Sequence, residues 1–105
     1  MARSAWQDEA APVGAEGQMT LAVVFRVADA QRRANLIQRI KAYGSWMALF
    51  DGVVFVRTLY DPKALQNDLL PFIAQTDSLL VIPTDPTNVG GYLPREVWNW
   101  LNGAG

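Results

Sequence analysis

The dipeptide Asp51-Gly52 constrains the fold of this chain more than any other feature, because it marks a tight reversal between two strand-like runs. Ser45 to Phe50 precedes the dipeptide and Val53 to Leu59 follows it, and both runs are rich in apolar and aromatic residues. An Asp-Gly pair tolerates the positive φ angles of a type I′ turn, which joins two antiparallel strands through two residues. The sequence therefore predicts a β-hairpin here.

The segment before the hairpin has the pattern of a buried strand followed by an amphipathic helix. Thr20 to Val27 is a mostly apolar run with several β-branched side chains, as in a central strand. Asp29 can cap the following helix, in which apolar residues recur every three or four positions. We expect this helix to end at Gly44.

The segment after the hairpin repeats the helix-then-strand pattern. Asp61-Pro62 opens a second predicted helix, with the aspartate as N-cap and the proline in the first turn. Pro71 lacks a backbone N–H group, so this helix should kink or end near Leu70. Ser78 to Thr84 is a fourth strand-like run.

The complete order is βαββαβ followed by a short C-terminal helix over Pro94–Leu101. With right-handed crossovers, this order gives an α+β sandwich of ferredoxin-like type. Such a sandwich has a four-stranded antiparallel sheet, two helices on one face, and strands one and three in the centre. We assign residues 19–102 to this domain and interpret residues 1–18, which lack any periodicity, as a flexible N-terminal tail.

Strand alternation predicts which side chains face the two helices and which face away. Those facing the helices are Leu21, Val23, Phe25 and Val27. The opposite face has an apolar centre with two arginines, and a monomer would leave it in water. We therefore predict a homodimer that buries the second face. Its interface residues are Val24, Arg26, Val53, Phe55 and Arg57.

Composition argues against several classes of function. The chain has no cysteine and no histidine, which removes disulfides, thiolate metal sites and the commonest general base. Its formal net charge is −1, whereas nucleic-acid-binding proteins usually have a basic excess. Nucleic-acid binding would need arginines gathered on one face, and the candidates are Arg32, Arg33 and Arg39 on the first helix. The alternative is that these arginines form an ordinary solvated helix face.

Metal chemistry in this chain would have to use carboxylates alone. Asp29, just past the first strand, has a position at which ferredoxin-like nucleases carry an acid, although helix capping also explains it. No hydroxyl group has a base partner, and Gly90-Gly91 lacks the spacing and the lysine of a phosphate loop. We therefore assign no cofactor and favour a role other than catalysis.

No apolar run approaches the about 18 residues that cross a bilayer. The first seventeen residues lack the apolar stretch of a secretory signal, so we expect no membrane partner and a cytoplasmic location.

Four short segments resemble the small SinR-like proteins, which belong with the CRISPR-associated Cas-two-like and virulence-associated-protein-D-like group. The segments are 36–46 (LIQRIKAYGSW), 53–56 (VVFV), 67–71 (NDLLP) and 76–82 (TDSLLVI). The likeness covers roughly residues 20–101, and the order of the elements agrees throughout.

This resemblance implies a ferredoxin-like fold and a homodimer joined through its sheets. It also implies a link to CRISPR adaptation, toxin-type ribonucleases or other mobile-element biology. Members with nuclease activity carry an aspartate near the end of strand one, where two dimer-related copies hold a metal. This chain has Arg26 and Val27 in that region, with Asp29 two residues later, and an arginine cannot ligate a divalent cation.

Three functions follow as hypotheses. The first is a non-catalytic, Cas-two-like homodimer acting as an assembly or nucleic-acid-associated module in defence or mobile-element biology. The second is a metal-dependent endoribonuclease of toxin type, which would use Asp29 and a divalent metal such as magnesium. The third is a small ligand-binding regulatory domain.

Overall fold

The strands and helices follow the predicted order in a computed structural model that describes residues 17–103. The strands are β1 (Met19–Arg26), β2 (Ser45–Phe50), β3 (Val53–Thr58) and β4 (Ser78–Thr84). The helices are α1 (Ala30–Lys41), α2 (Pro62–Leu69) and α3 (Arg95–Leu101). One antiparallel sheet has the strand order β2-β3-β1-β4, so β1 and β3 are central. The ferredoxin-like α+β fold is confirmed. The predicted tail lies outside the described residues except for its last two positions.

Local sequence signals set the starts of α1 and α2 as predicted, whereas α1 ends at Lys41, three residues before the predicted end at Gly44. Asp29 Oδ2 accepts a hydrogen bond from the Arg32 backbone N–H at 2.8 Å and so caps α1. Asp61 Oδ1 accepts one from the backbone N–H of Ala64 at 2.7 Å and caps α2 in the same way. Pro71 lies in a 3₁₀ turn over Leu70–Phe72, directly after the end of α2.

The predicted hairpin is present, and two glycines shape its surroundings. Phe50 pairs with Val53 across the two-residue loop, and Gly52 in that loop has a φ of 87°. At Gly44, before β2, a Cβ atom would overlap the carbonyl oxygen of Arg57, so only glycine fits this approach of two backbones.

One face of the sheet, which we call the helix face, packs against α1 and α2. The predicted alternation is confirmed, since Leu21, Val23, Phe25 and Val27 are all buried in this core. The helices contribute Leu36, Ile40, Leu65 and Leu69, each fully buried. This core includes the fully buried Val56 of β3 as well.

The two edge strands each carry an irregularity. In β2, the register with β3 shifts between Ala48 and Phe50, which is a β-bulge. In β4, Pro83 stands opposite Leu21 of β1 and has no N–H group to donate.

Within the described part of the chain, the helices are too short and too polar to cross a membrane.

Candidate functional site

The face of the sheet opposite α1 and α2, which we call the second face, is built of three rows of side chains that cross all four strands. Strand pairing fixes these rows, because directly paired residues point to the same side. The first row is polar and consists of Ser45, Arg57, Thr20 and Thr84. The second consists of Met47, Phe55, Ala22 and Ile82. The third consists of Phe50, Val53, Val24 and Leu80.

Helix α3 covers the β2–β3 side of this face, and Trp100 holds it there. The Trp100 ring stacks on Phe55 with 6.1 Å between centroids and 7° between planes. Its indole Nε1 donates to Ser45 Oγ at 2.9 Å. The Arg57 guanidinium lies 4.1 Å from the centroid of the same ring and donates to the Trp100 carbonyl oxygen.

This arrangement corrects the expectation that no helix of the same chain covers the second face. Phe55, predicted at an open interface, is only 6% exposed because α3 covers it. Arg57, predicted in the dimer interface, is half-buried against Trp100 of the same chain. Of the two tryptophans of α3, Trp100 is buried and Trp98 is half-buried.

The third row, and the β4 end of the second row, remain open. Phe50 is 63%, Leu80 55% and Ile82 41% exposed, and Val24 and Val53 beside them are half-buried. We call these five residues the open strip. Sequence analysis found Val24 and Val53 but missed the other three. The alternation of β4, once paired with β1, would have identified Leu80 and Ile82. The fifth predicted interface residue, Arg26, is exposed at the end of β1.

The three arginines of α1 proposed to bind nucleic acid each have a carboxylate partner in the chain. Arg32 pairs with Asp77 at 2.8 Å and Arg39 with Asp68 at 2.8 Å, and Arg33 pairs with Asp51. The aspartates neutralise the charge that would attract phosphate groups. The structure therefore does not gather the three arginines into a free basic patch.

Asp77 is a structural anchor that sequence analysis did not single out. Its side chain is 1% exposed and accepts hydrogen bonds from the Ala74 N–H at 2.7 Å and the Ala28 N–H at 3.3 Å. Hydrogen bonds from Arg32, followed by that from the Ala74 N–H, lower the pKa of Asp77 to about 2. This carboxylate thus joins the start of α1 to the turn before β4.

Asp29, the candidate nuclease residue, is exposed, and one of its oxygens caps α1. Residues 17–103 contain no group of three carboxylates that could hold a metal ion. The capping role is observed, and a catalytic role stays a prediction.

A groove of about 480 Å³ lies at the end of the sheet where β1 begins and β4 ends. Strand alternation assigns Thr20, Arg57 and Thr84 to the second face and Met19 and Pro83 to the helix face, so both faces contribute to its lining. It is lined by Gln18, Met19, Thr20, Arg57, Thr84 and Asp85, with the prolines at 83 and 86 beside them. Three of the four residues of the polar row, Arg57, Thr20 and Thr84, thus line the groove. Sequence analysis gave no indication of it, because its residues come from three strands and a loop.

Comparisons with known proteins bear on the fold. No family model and no curated protein matches the chain. A solved structure, described as the crystal structure of a hypothetical protein TT1823 from Thermus thermophilus, is similar with a TM-score of 0.55. The two chains are 22% identical over 73% of this chain and 95% of that chain. A likeness at this level of identity shows the fold alone.

Proposed function

We propose that this protein is a non-catalytic, Cas-two-like module that forms a homodimer through the open strip and serves in assembly. The proposal combines the sequence resemblance described above with one structural observation, the exposure of Phe50, Leu80 and Ile82 on a sheet face. A cytoplasmic setting and a role in defence or mobile-element biology belong to the same proposal and come from the sequence alone.

The open strip supports self-association because it is contiguous. Phe50, Val53, Val24 and Leu80 form one row across the sheet, and Ile82 lies in the next row beside Leu80. Burial of apolar surface contributes roughly 25 cal/mol per Å², and a stable interface buries about 800 Å² per partner. A strip that crosses four strands provides an apolar centre for such an interface, which Trp98 and the surrounding polar residues would complete.

Assembly is favoured over nucleic-acid association by the ion pairs of α1. Arg32, Arg33 and Arg39 are each paired with an aspartate, so a phosphate group would have to displace a carboxylate already in place. The formal net charge of −1 also disfavours binding to the phosphate groups of a nucleic acid.

The test compares two leucines of equal exposure. Leu80 in the open strip is 55% exposed and Leu59, just beyond β3, is 54% exposed. Light scattering at tens of micromolar should show a dimer for the unmodified protein. Leu80→Asp should weaken the dimer by about 2–4 kcal/mol, since a carboxylate would be buried without a partner. Leu59→Asp should leave the dimer unchanged.

A monomeric unmodified protein, or a Leu80→Asp variant that dimerises as tightly as Leu59→Asp, would overturn the proposal. Circular dichroism of both variants establishes that the monomer is folded, so that loss of the dimer is not confused with loss of the fold.

A further inference from the structure

The groove beside Arg57 has the features of a small-molecule site on its own, independently of any dimer. Its volume of about 480 Å³ lies within the range of ligand pockets. Arg57 and Thr84 of the polar row, both half-buried, line it together with the buried Thr20. We therefore considered what chemistry its walls can recognise.

Arg57 is held in place with donors to spare. Its guanidinium carbon lies 4.1 Å from the centroid of the Trp100 ring, and the group donates one N–H to the carbonyl oxygen of that residue. A guanidinium has five N–H donors. Among residues 17–103, the ion pairs involve Arg32, Arg33 and Arg39, and Arg57 has no carboxylate partner there. The contact with α3 therefore accounts for one of these donors, and the remaining N–H groups are left for a ligand in the groove that Arg57 lines.

Two threonines continue the row from Arg57 into the groove. Thr20 stands directly opposite Arg57 on one side and opposite Thr84 on the other. Thr20, only 8% exposed, can donate its hydroxyl to an acceptor bound beside the guanidinium. The Thr84 hydroxyl donates to the Ile82 carbonyl oxygen at 3.4 Å, a long bond that it would exchange for one to the bound acceptor. Gln18 adds an amide at the rim.

The other residues that line the groove indicate the polarity and charge of the ligand. Met19, Pro83 and Pro86 are apolar and can contact a hydrocarbon body. Asp85 adds one negative charge, and its carboxylate already accepts hydrogen bonds from the Thr87 N–H at 2.9 Å and hydroxyl at 2.7 Å. One arginine and one aspartate favour a ligand with a single acidic group over a polyanion.

We propose that this groove binds a small organic anion, with its carboxylate or phosphate group on Arg57, Thr20 and Thr84 and its apolar body on Met19 and the two prolines. Arg57 provides the planar fork that suits both acidic groups. This gives the protein a ligand-binding function beyond self-association.

The experiment follows the Trp100 indole N–H by two-dimensional NMR, because this group lies under Arg57 and bonds to Ser45. Four probes separate the ligand sources: acetate and hexanoate for carboxylates, inorganic phosphate and phenyl phosphate for phosphates. Hexanol is the neutral control. We expect saturable shifts of Trp100, Thr20 and Thr84 with at least one probe that has an apolar body, and none with hexanol.

Substitutions test the assignment of the contacts. Arg57→Lys keeps the charge but loses the fork, and should weaken binding roughly ten- to hundred-fold. Thr84→Val keeps the shape and should weaken it about three- to tenfold. The matched control is Arg26→Lys, an exposed arginine at the other end of the same face, which should bind as the unmodified protein does.

The proposal is overturned if no probe shifts these signals at millimolar concentration, if hexanol binds equally well, or if Arg26→Lys weakens binding as much as Arg57→Lys. If Arg57→Lys detaches α3 from the sheet, the Thr84→Val variant is the test of ligand contact. The Thr84 hydroxyl bonds to Ile82 of the same strand and to no residue of α3. Repeating the titration on Leu80→Asp separates this site from the dimer: binding there supports the groove whatever the oligomeric state.

Discussion

The two faces of the single sheet differ in how completely the chain covers them. On the helix face, α1 and α2 bury Leu21, Val23 and Val56 to full depth. On the second face, α3 covers Phe55 but leaves Leu80 more than half exposed. The same strands supply both faces through simple alternation, so the difference arises only from where the helices lie. The helix face determines the fold, and the open strip of the second face is where we propose that a second copy binds.

The largest effect should come from a cavity on the helix face. Leu36→Ala removes a fully buried side chain from α1 and should lower the free energy of unfolding by about 3–4 kcal/mol. Urea denaturation measures this change. Leu59→Ala is the control, because Leu59 is exposed and should change stability by less than about 0.5 kcal/mol. If the two variants lost the same free energy of unfolding, the conclusion that the helix face determines the fold would be wrong.

A smaller effect is expected beneath α3. Trp100→Ala removes the stack on Phe55, the platform under Arg57 and the bond to Ser45, and should cost about 2–3 kcal/mol. The loss is limited because a terminal helix can detach locally while the helix face stays intact. Binding of a hydrophobic dye should increase as Phe55 becomes exposed. Trp46→Ala, at a 41% exposed ring, is the control and should not increase dye binding.

The smallest effect concerns the ion pair that fastens α1 to the start of β4. The pKa of Asp77 falls to about 2 in the folded chain, against an ordinary 3.8. Its contribution to stability is therefore complete above about pH 4 and is lost as the pH falls through 2. Asp77→Asn should be less stable than the unmodified protein at neutral pH, and the difference should shrink in this acidic window.

Thermal unfolding between pH 2 and 7 measures the dependence. Asp68→Asn is the control, because its ion pair with Arg39 is exposed and should contribute little. If the difference in thermal stability between Asp77→Asn and the unmodified protein stayed constant across this range, the stability would not depend on the ionisation of Asp77.

Sequence reasoning succeeded where a local rule applies. The Asp-Gly turn, the caps at Asp29 and Asp61, and the alternation of β1 each depend on a few neighbouring residues, and all are present. The helix α3 was predicted and is present, but its position over the second face was not predicted. An apolar sheet face can be covered equally by a helix of the same chain or by a second copy. The Arg32–Asp77 pair and the groove at Arg57 join residues far apart in the chain, which no local pattern reveals.

The irregular edges of the sheet have a consequence for the size of any assembly. Two copies pairing β4 edge to edge would lack a donor at Pro83, and the bulge in β2 interrupts a regular ladder at the opposite edge. Strand addition at both edges is thus disfavoured, which removes the route to open-ended polymers. The association that we propose through the second face would use one patch per molecule, and both patches would be buried once two copies had paired. Growth of such an assembly would then stop at the dimer.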